Sequence, residues 1–144
     1  RYTTSIDIDT PAERVYEVMI DIDRWHEWTP SILNIERLDG GAFVVGKRAM
    51  VRQPKLPSAT WTISKIELGR GFEWINKAPG LKVTGHHFVE PTRNGSRATV
   101  GLSYHGLFGG LLARLARGIT LRYLAMEAAG LKARAEDPAY RHRG

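Results

Sequence analysis

The apolar and polar residues of this chain follow two different periods, and these divide it into a short helical segment, a strand-rich stretch and a final helix. From Tyr2 to Asp9 the two kinds of residue alternate, which predicts a half-buried strand. From Ala12 to Ile22 the apolar residues return every three or four positions, which predicts a helix with one buried face.

The start of this first helix carries recognisable capping signals. Thr10 is predicted to be the N-cap, with Pro11 at the first helical position and Glu13 completing a capping box. Trp25 and Trp28 continue the apolar pattern three residues apart, which predicts a second short helix before the next proline.

Six more strands are predicted in the middle of the chain, because alternating segments are separated by turns that contain glycine, proline or asparagine. The predicted strands cover residues 31–38, 43–52, 59–68, 72–77, 81–90 and 97–105. The apolar phase changes between Ile63 and Ile66, which predicts a β-bulge. Tight turns between short strands favour an antiparallel meander.

The final element is predicted to be one helix from Gly109 to Glu136, stopped by Pro138. At 1.5 Å per residue such a helix is roughly 42 Å long, enough to cross a small domain. We therefore expect a single domain over residues 1–137, followed by a basic tail over residues 138–144.

The composition excludes several classes of protein. The 144 residues include no cysteine, which excludes a disulfide framework, a thiolate metal site and a thiol nucleophile. This composition fits a reducing compartment, and a cytoplasmic location is expected. No signal peptide is visible, and no run of about 18 apolar residues is free of charge, so no transmembrane segment is expected.

The net charge of +6 is unevenly distributed. Residues 1–39 hold nine acidic residues, whereas residues 109–144 hold seven bases against three acids. A basic end favours anionic ligands or surfaces. The bases neither form a run nor alternate with aromatic residues, so nucleic-acid binding is not expected.

Several short motifs occur in an order that is typical of one superfamily. They are Ile8–Glu13 with Val15, Asp23–Pro30, Gly46, His86–Phe88, Glu90–Thr92, Gly95–Arg97 and Glu127–Lys132. With the order strand, two helices, six strands and long helix, the chain resembles the START-like superfamily, also called Bet v 1-like or SRPBCC. Within it, the chain is most similar to the bacterial polyketide cyclase/dehydrase and lipid transport branch.

The resemblance implies an α+β helix-grip fold. In that fold a curved seven-stranded antiparallel sheet wraps around a long C-terminal helix, with two short helices after the first strand. Similar proteins bind lipids, sterols, polyketides or other apolar small molecules, and some catalyse cyclisation. Aromatase/cyclase relatives use inward serine and arginine residues on the central strands, and residues 61–65 offer no such pair.

A curved sheet that grips one long helix would form a cup with an apolar interior. The predicted wall of this cup is largely aromatic, which suits a ring system or an acyl chain. Ordinary core packing explains the same residues. The candidate ligand-binding residues are Trp28, Trp61, Trp74, His86, Phe88, Tyr104, Leu115, Ile119, Arg122, Tyr123 and Met126.

Arg122 is the sharpest candidate, because a helical wheel places it within the apolar stripe of the last helix. A guanidinium on the cup-facing side would bind a carboxylate or phosphate of the ligand. The alternatives are that its side chain reaches the cavity mouth, or that it pairs with Glu73 or Glu90.

Two adjacent histidines, His86 and His87, must point to opposite faces of their strand. The resemblance pairs His86 with Phe88, so His86 is expected to face inward. His86, Tyr104 and Arg122 are then the candidates for a catalytic role. No set of His, Asp and Glu has the spacing of a metal site, and no cofactor is expected.

Three functions remain open. The first is binding or transport of an apolar small molecule, namely a lipid, isoprenoid or aromatic metabolite, with or without an acid group. The second is a cyclase or dehydratase type of enzyme. The third is a protein- or membrane-interaction module that uses Leu121, Leu124 and Leu131 to form a homodimer or a docking face.

Overall fold

The computed structural model describes residues 1–140. Seven antiparallel strands form one sheet in the order β1-β7-β6-β5-β4-β3-β2. Their bounds are β1 Tyr2–Ile8, β2 Asn34–Arg37, β3 Arg48–Arg52, β4 Ala59–Glu67, β5 Gly71–Ala78, β6 Leu81–Thr92 and β7 Gly95–His105. The chain returns to pair β1 with β7, so the first and last strands lie side by side.

The helices lie before and after this sheet in the chain. Helix α1 spans Ala12–Ile20, and a 3₁₀ helix spans Ile22–Glu27. After β7 come α2, Gly109–Leu115, and α3, Arg117–Glu136. The predicted α+β helix-grip fold is thus confirmed. None of these helices combines the length and hydropathy that a membrane crossing requires.

The main hydrophobic core lies at one end of the sheet, between α1, the 3₁₀ helix and the last turns of α3. Its fully buried members include Val15, Met19, Trp25, Phe72 and Leu131. Gly130 lets α3 pack closely against the backbone at Trp28, since a Cβ at position 130 would lie 1.9 Å from the carbonyl oxygen of Trp28. The other end of the sheet is packed less completely and leaves a cavity between the sheet and α3.

The prediction of one unbroken helix from Gly109 to Glu136 is wrong. The backbone at Ala116 leaves the helical conformation (φ −93°, ψ 7°), and this separates α2 from α3. A helical wheel drawn through the break therefore assigns the wrong face to at least one of the two helices. The face of α3 that is buried consists of Thr120, Leu124, Ala128, Gly130, Leu131 and Ala135.

Local predictions had mixed outcomes. The register shifts between Ile63 and Lys65, which confirms the bulge in β4. Thr10 does not cap α1: Pro11 occupies the N-cap position, and no side chain caps the helix. The third strand begins only at Arg48, because residues 43–47 form a loop in which Phe43 packs edge-on against Phe72.

Packed structure continues slightly beyond the predicted domain boundary. Tyr140 is buried, and the guanidinium groups of Arg14 and Arg134 lie 5.3 and 5.4 Å from its ring centroid. Arg14 also donates hydrogen bonds to the carbonyl oxygens of Ala135 and Asp137. Residues 138–140 therefore belong to the domain, while the rest of the predicted basic tail lies outside the described residues.

Candidate functional site

A cavity of about 340 Å³ lies between the concave face of the sheet and α3. This volume is near the lower end of the range for small-molecule pockets. Apolar residues from the sheet, the two C-terminal helices and the loop between β3 and β4 make up most of its wall. The polar residues that line it are Gln53, Asn76, His87, Tyr104, Thr120, Tyr123 and Glu127.

Alternate residues of β6 line the cavity from its mouth to its interior, as the two-residue period of a strand requires. They are Leu81, Val83, Gly85 and His87. Leu81 follows the turn between β5 and β6, next to α2, whereas His87 packs against the core. We define the mouth as the end bordered by Leu56, Pro57, Leu81 and Leu112.

Three tryptophans form the inner wall. The ring centroid of Trp74 lies 5.5 Å from that of Trp25 and 5.7 Å from that of Trp61. The indole of Trp25 is fixed by a hydrogen bond of 3.0 Å from its Nε1 to the carbonyl oxygen of Met19. Such tilted stacks give the cavity a broad, rigid aromatic surface.

Gly85 makes room for this surface. A Cβ at position 85 would lie 2.7 Å from Nε1 of Trp74 and 3.4 Å from Cε1 of His87. Any larger residue would therefore force the indole of Trp74 to move. The absence of a side chain at this point of β6 thus sets the shape of the cavity wall.

His87 and Glu127 form the main polar group of the interior. Nε2 of His87 lies 3.1 Å from Oε1 of Glu127, and both side chains are largely buried. The imidazole stacks on Phe72 with ring centroids 4.5 Å apart. Its Nδ1 is buried without a hydrogen-bond partner. A buried polar atom without a partner is costly, and a bound group that supplied one would be favoured.

The remaining polar groups of the wall are mostly satisfied by the protein itself. The hydroxyl of Tyr104 lies 2.7 Å from that of Thr120, and burial raises the pKa of Tyr104 above its ordinary value. Asn76 donates to the carbonyl oxygen of Thr60, and the hydroxyl of Tyr123 donates to that of Pro54. The last contact ties the loop between β3 and β4 to α3.

Five of the predicted ligand-binding residues do line the cavity. They are Trp61, Trp74, Tyr104, Ile119 and Tyr123. Trp28 does not, because it packs behind Trp25, with ring centroids 5.5 Å apart, and borders a hollow on the surface near Arg134. Its contribution is to the core rather than to the cavity wall.

The prediction that His86 faces inward is wrong, and the same error displaces Phe88. His87 faces the cavity, so His86 and Phe88 occupy the opposite side of β6. Phe88 lies there beneath the ammonium group of Lys65, 5.7 Å from its ring centroid. Neither residue can contact a molecule held inside the cup.

His86 is instead the centre of a buried hydrogen-bonded row on the outer face of the sheet. Its Nδ1 lies 2.6 Å from Oε2 of Glu73, and its Nε2 lies 2.8 Å from Oγ of Ser103. Burial lowers the pKa of His86, although the hydrogen bond to Glu73 opposes this shift. The order Ser–His–Glu matches that of a hydrolase triad. However, His86 and Ser103 are both buried, and the cavity does not reach them.

Arg122, Leu115 and Met126 are also misplaced by the sequence analysis. The side chains of Arg122 and Leu115 are exposed, and none of the three residues lines the cavity. The predicted apolar stripe contained them because it treated the last helix as continuous through Ala116 and was defined by large apolar residues. The face of α3 that points inward is rich in small residues, which a search for large apolar side chains passes over.

Sequence reasoning missed His87, Glu127 and Gly85 as members of the site. The alternation of Leu81 and Val83 could have identified His87, since it lies in phase with them. Glu127 was recognised only as part of a motif. The signal for it is that Thr120, Leu124, Glu127 and Leu131 follow one another at intervals of three or four residues, which places Glu127 on the buried face of α3.

A seven-stranded sheet that grips a C-terminal helix around an internal cavity defines the class of helix-grip proteins. A sequence model of the family described as "Polyketide cyclase / dehydrase and lipid transport" matches residues 1–136. The chain therefore belongs to this family within the START-like superfamily, as the motifs indicated. Among curated proteins, none matches the sequence significantly.

Solved structures support the same fold. The hypothetical protein jhp0584 from Helicobacter pylori has 18% identity and a TM-score of 0.75, over 93% of this chain and 86% of that one. The structure of Ara h 8.0201 has 14% identity and a TM-score of 0.64, over 92% of this chain and 97% of that one. At such identities the likeness shows the fold alone.

One similar structure is that of a protein with two domains. The di-domain ARO/CYC BexL from the BE-7585A biosynthetic pathway has 14% identity and a TM-score of 0.72. The match covers 95% of this chain but 47% of BexL, so the chain spans about half the length of that protein.

Proposed function

We propose that this protein binds an apolar small molecule in the cavity between the sheet and α3. The observation that carries the proposal is a space of about 340 Å³ with an aromatic inner wall and one polar pair, His87–Glu127, in its interior. Pockets of this kind hold apolar ligands and orient them through a few polar groups. Membership of a family named for both cyclisation and lipid transport supports the same reading.

The charge of the wall favours a neutral ligand. Glu127 is the acidic residue of the lining, and within residues 1–140 no lysine or arginine lines the cavity. An acid group on the ligand would lie unpaired beside a carboxyl group, which is unfavourable. A hydroxyl group directed at the His87–Glu127 pair would find hydrogen-bond partners. We therefore replace the expected acidic ligand, anchored by Arg122, with a neutral one that carries a hydroxyl or similar donor.

The first test is native mass spectrometry of the purified protein, followed by denaturing extraction and identification of any molecule that is released. We expect an apolar, neutral molecule with at least one hydrogen-bond donor. An ionised lipid retained in stoichiometric amount would contradict the inferred ligand chemistry. An empty protein is tested further with the neutral probe N-phenylnaphthylamine.

A cavity-filling substitution tests whether the probe binds inside. Ala116 lines the cavity, whereas Ala125 on α3 is exposed. Ala116→Phe is expected to reduce the affinity for the probe at least tenfold, because the phenyl ring would occupy space that the probe needs. Excluding even one or two methylene groups of a ligand from an apolar pocket costs about this much. Ala125→Phe, the matched control, should leave binding unchanged. Equal effects of the two substitutions would place the probe outside the cavity and refute the proposal.

An enzyme of the cyclase or dehydratase type is the second candidate. The observation that favours it is the His87–Glu127 pair itself, because an imidazole hydrogen-bonded to a carboxyl group is a recurring device for moving protons. Tyr104, on the same wall, would help to orient the substrate. In this reading His87 replaces His86 as the acid–base group, and Arg122 has no role.

Turnover separates the two candidates. With a poly-β-ketone model substrate, the enzyme reading predicts that His87→Gln abolishes product formation while probe binding is kept. A carrier would bind such molecules and release them unchanged, both as the wild-type protein and as His87→Gln. The third function considered, docking through Leu121, Leu124 and Leu131, loses its basis because Leu124 and Leu131 are buried.

A further inference from the structure

A group of large apolar side chains is exposed beside the cavity mouth. The exposed fractions are 85% for Leu107, 52% for Phe108, 58% for Leu111 and 74% for Leu115. Leu56, on the opposite side of the mouth, is 41% exposed. Single exposed leucines are common on protein surfaces, but a cluster of this kind usually marks an interaction site.

Helix α2 is apolar on both sides. Leu112 points toward the cavity, whereas Leu111 and Leu115, one helical turn apart, are exposed. A surface helix normally turns polar residues to water, so an apolar outer face indicates that another apolar phase covers it.

The exposed face is held in place rather than loosely attached. The backbone N–H of Phe108 donates to the carbonyl oxygen of Gly80, and the Phe108 ring fills the space where Gly80 lacks a side chain. At the other side of α2, the hydroxyl of Tyr2 donates to the carbonyl oxygen of Ala113 at 2.8 Å. The leucines are thus presented on a fixed support.

The charged residues around this exposed apolar face are all basic. Three segments meet at this end of the sheet, residues 53–60, 77–82 and 105–126, and none of the chain's 15 acidic residues lies in them. They carry six exposed bases, which are Lys55, Lys77, Lys82, Arg114, Arg117 and Arg122. A partner for this surface must combine apolar material with negative charge. A second copy of the chain would instead bring two sets of six bases together.

We propose that this mouth face, made of Leu56, residues 107–115 and the six bases, docks on an anionic lipid bilayer. The leucines and Phe108 would enter the interfacial region while the bases contact lipid phosphates, which is how interfacial helices bind. Docking would bring the cavity mouth against the membrane, so that an apolar ligand enters or leaves without crossing water. Docking itself does not depend on which molecule the cavity holds.

The test is co-sedimentation with vesicles of phosphatidylcholine alone and with about 30% phosphatidylglycerol added. We expect binding to the anionic vesicles, weakened by high salt because the Debye length shortens. Arg114→Gln/Arg117→Gln should lower the partition coefficient on the order of 20-fold, at the usual contribution of each base. Leu111→Ser/Leu115→Ser should lower it by at least as much.

Matched controls lie at the opposite end of the sheet. Leu68, in the turn between β4 and β5, is 88% exposed, and Arg93, in the turn between β6 and β7, is also exposed. Leu68→Ser and Arg93→Gln should leave partitioning within about twofold of the wild type. Circular dichroism of every variant confirms that the fold is kept.

Three results would overturn the proposal. One is failure of the wild-type protein to bind anionic vesicles at low salt. Another is an equal loss of binding in the control variants, which would mean non-specific adsorption. The third is concentration-dependent dimerisation in sedimentation velocity that Leu111→Ser/Leu115→Ser abolishes, which would identify a second copy of the chain as the occupant of the mouth face.

Discussion

Nε2 of His87 on β6 and Oε1 of Glu127 on α3 lie 3.1 Å apart and join the sheet to the helix across the cavity. The two residues are 40 positions apart in the sequence, and only the packing of α3 into the sheet brings them together. Because Nδ1 of the same imidazole has no partner, the pair is also where a ligand gains most from a polar contact.

The first prediction concerns the charge preference of the cavity. Glu127→Gln keeps the size of the side chain and its ability to bond His87 but removes the carboxyl group. We expect the affinity for anionic anilinonaphthalene sulfonate to rise on the order of tenfold, because the buried like charge is gone. The affinity for neutral N-phenylnaphthylamine should change little. Parallel changes for both probes in fluorescence titrations would mean that Glu127 does not face the bound molecule.

The second prediction concerns the wall of the cavity at Gly85. Gly85→Ala places a Cβ 2.7 Å from Nε1 of Trp74, so the indole must shift. We expect the affinity for the neutral probe to fall on the order of tenfold, because the aromatic wall is displaced. The matched control is Gly110→Ala on α2, where a Cβ would meet no atom within 4 Å. If both variants bind like the wild type, Trp74 does not shape the binding site.

The third prediction concerns the stability of the domain. Gly130→Ala is expected to lower the free energy of unfolding by about 3 kcal/mol, because its Cβ would overlap the carbonyl oxygen of Trp28 at 1.9 Å. Gly118→Ala in the same helix meets no atom within 4 Å and should raise that free energy by up to about 1 kcal/mol. Urea unfolding measures both. Similar stabilities for the two variants would show that α3 does not pack as described.

The fourth prediction concerns pH. Burial holds the pKa of His86 below its ordinary value of 6.5. Just below pH 6.5, His86 is therefore less protonated in the folded protein than in the unfolded chain. The stability contributed by neutral His86 is therefore fully present above about pH 6.5 and is lost as the pH falls toward the lower folded-state pKa. His86→Gln should flatten this decline in urea unfolding curves, whereas His105→Gln, at an exposed position, should not. An unchanged pH profile in His86→Gln would assign the decline to other groups.

The sequence by itself determined the fold of this protein. The alternation of apolar residues defines the strands, the turns between them define a meander, and short motifs in a fixed order identify the superfamily. These signals are local, because each strand or turn depends on residues that are neighbours in the chain. They correctly predicted the bulge in β4 and the aromatic wall formed by Trp61 and Trp74.

Only the tertiary structure decided which residues face the cavity. The break at Ala116 changes the phase of the last helix, so Arg122 and Leu115 lie at the surface and Glu127 lies inside. Which of His86 and His87 points inward likewise depends on the curvature and pairing of the whole sheet. A one-residue error in phase exchanges the two faces of a strand and turns a helix by about 100°. The physical reason is that the periodic pattern of a single strand or helix shows only which residues share a side. Which of its sides meets the cavity depends on how that element packs against the others.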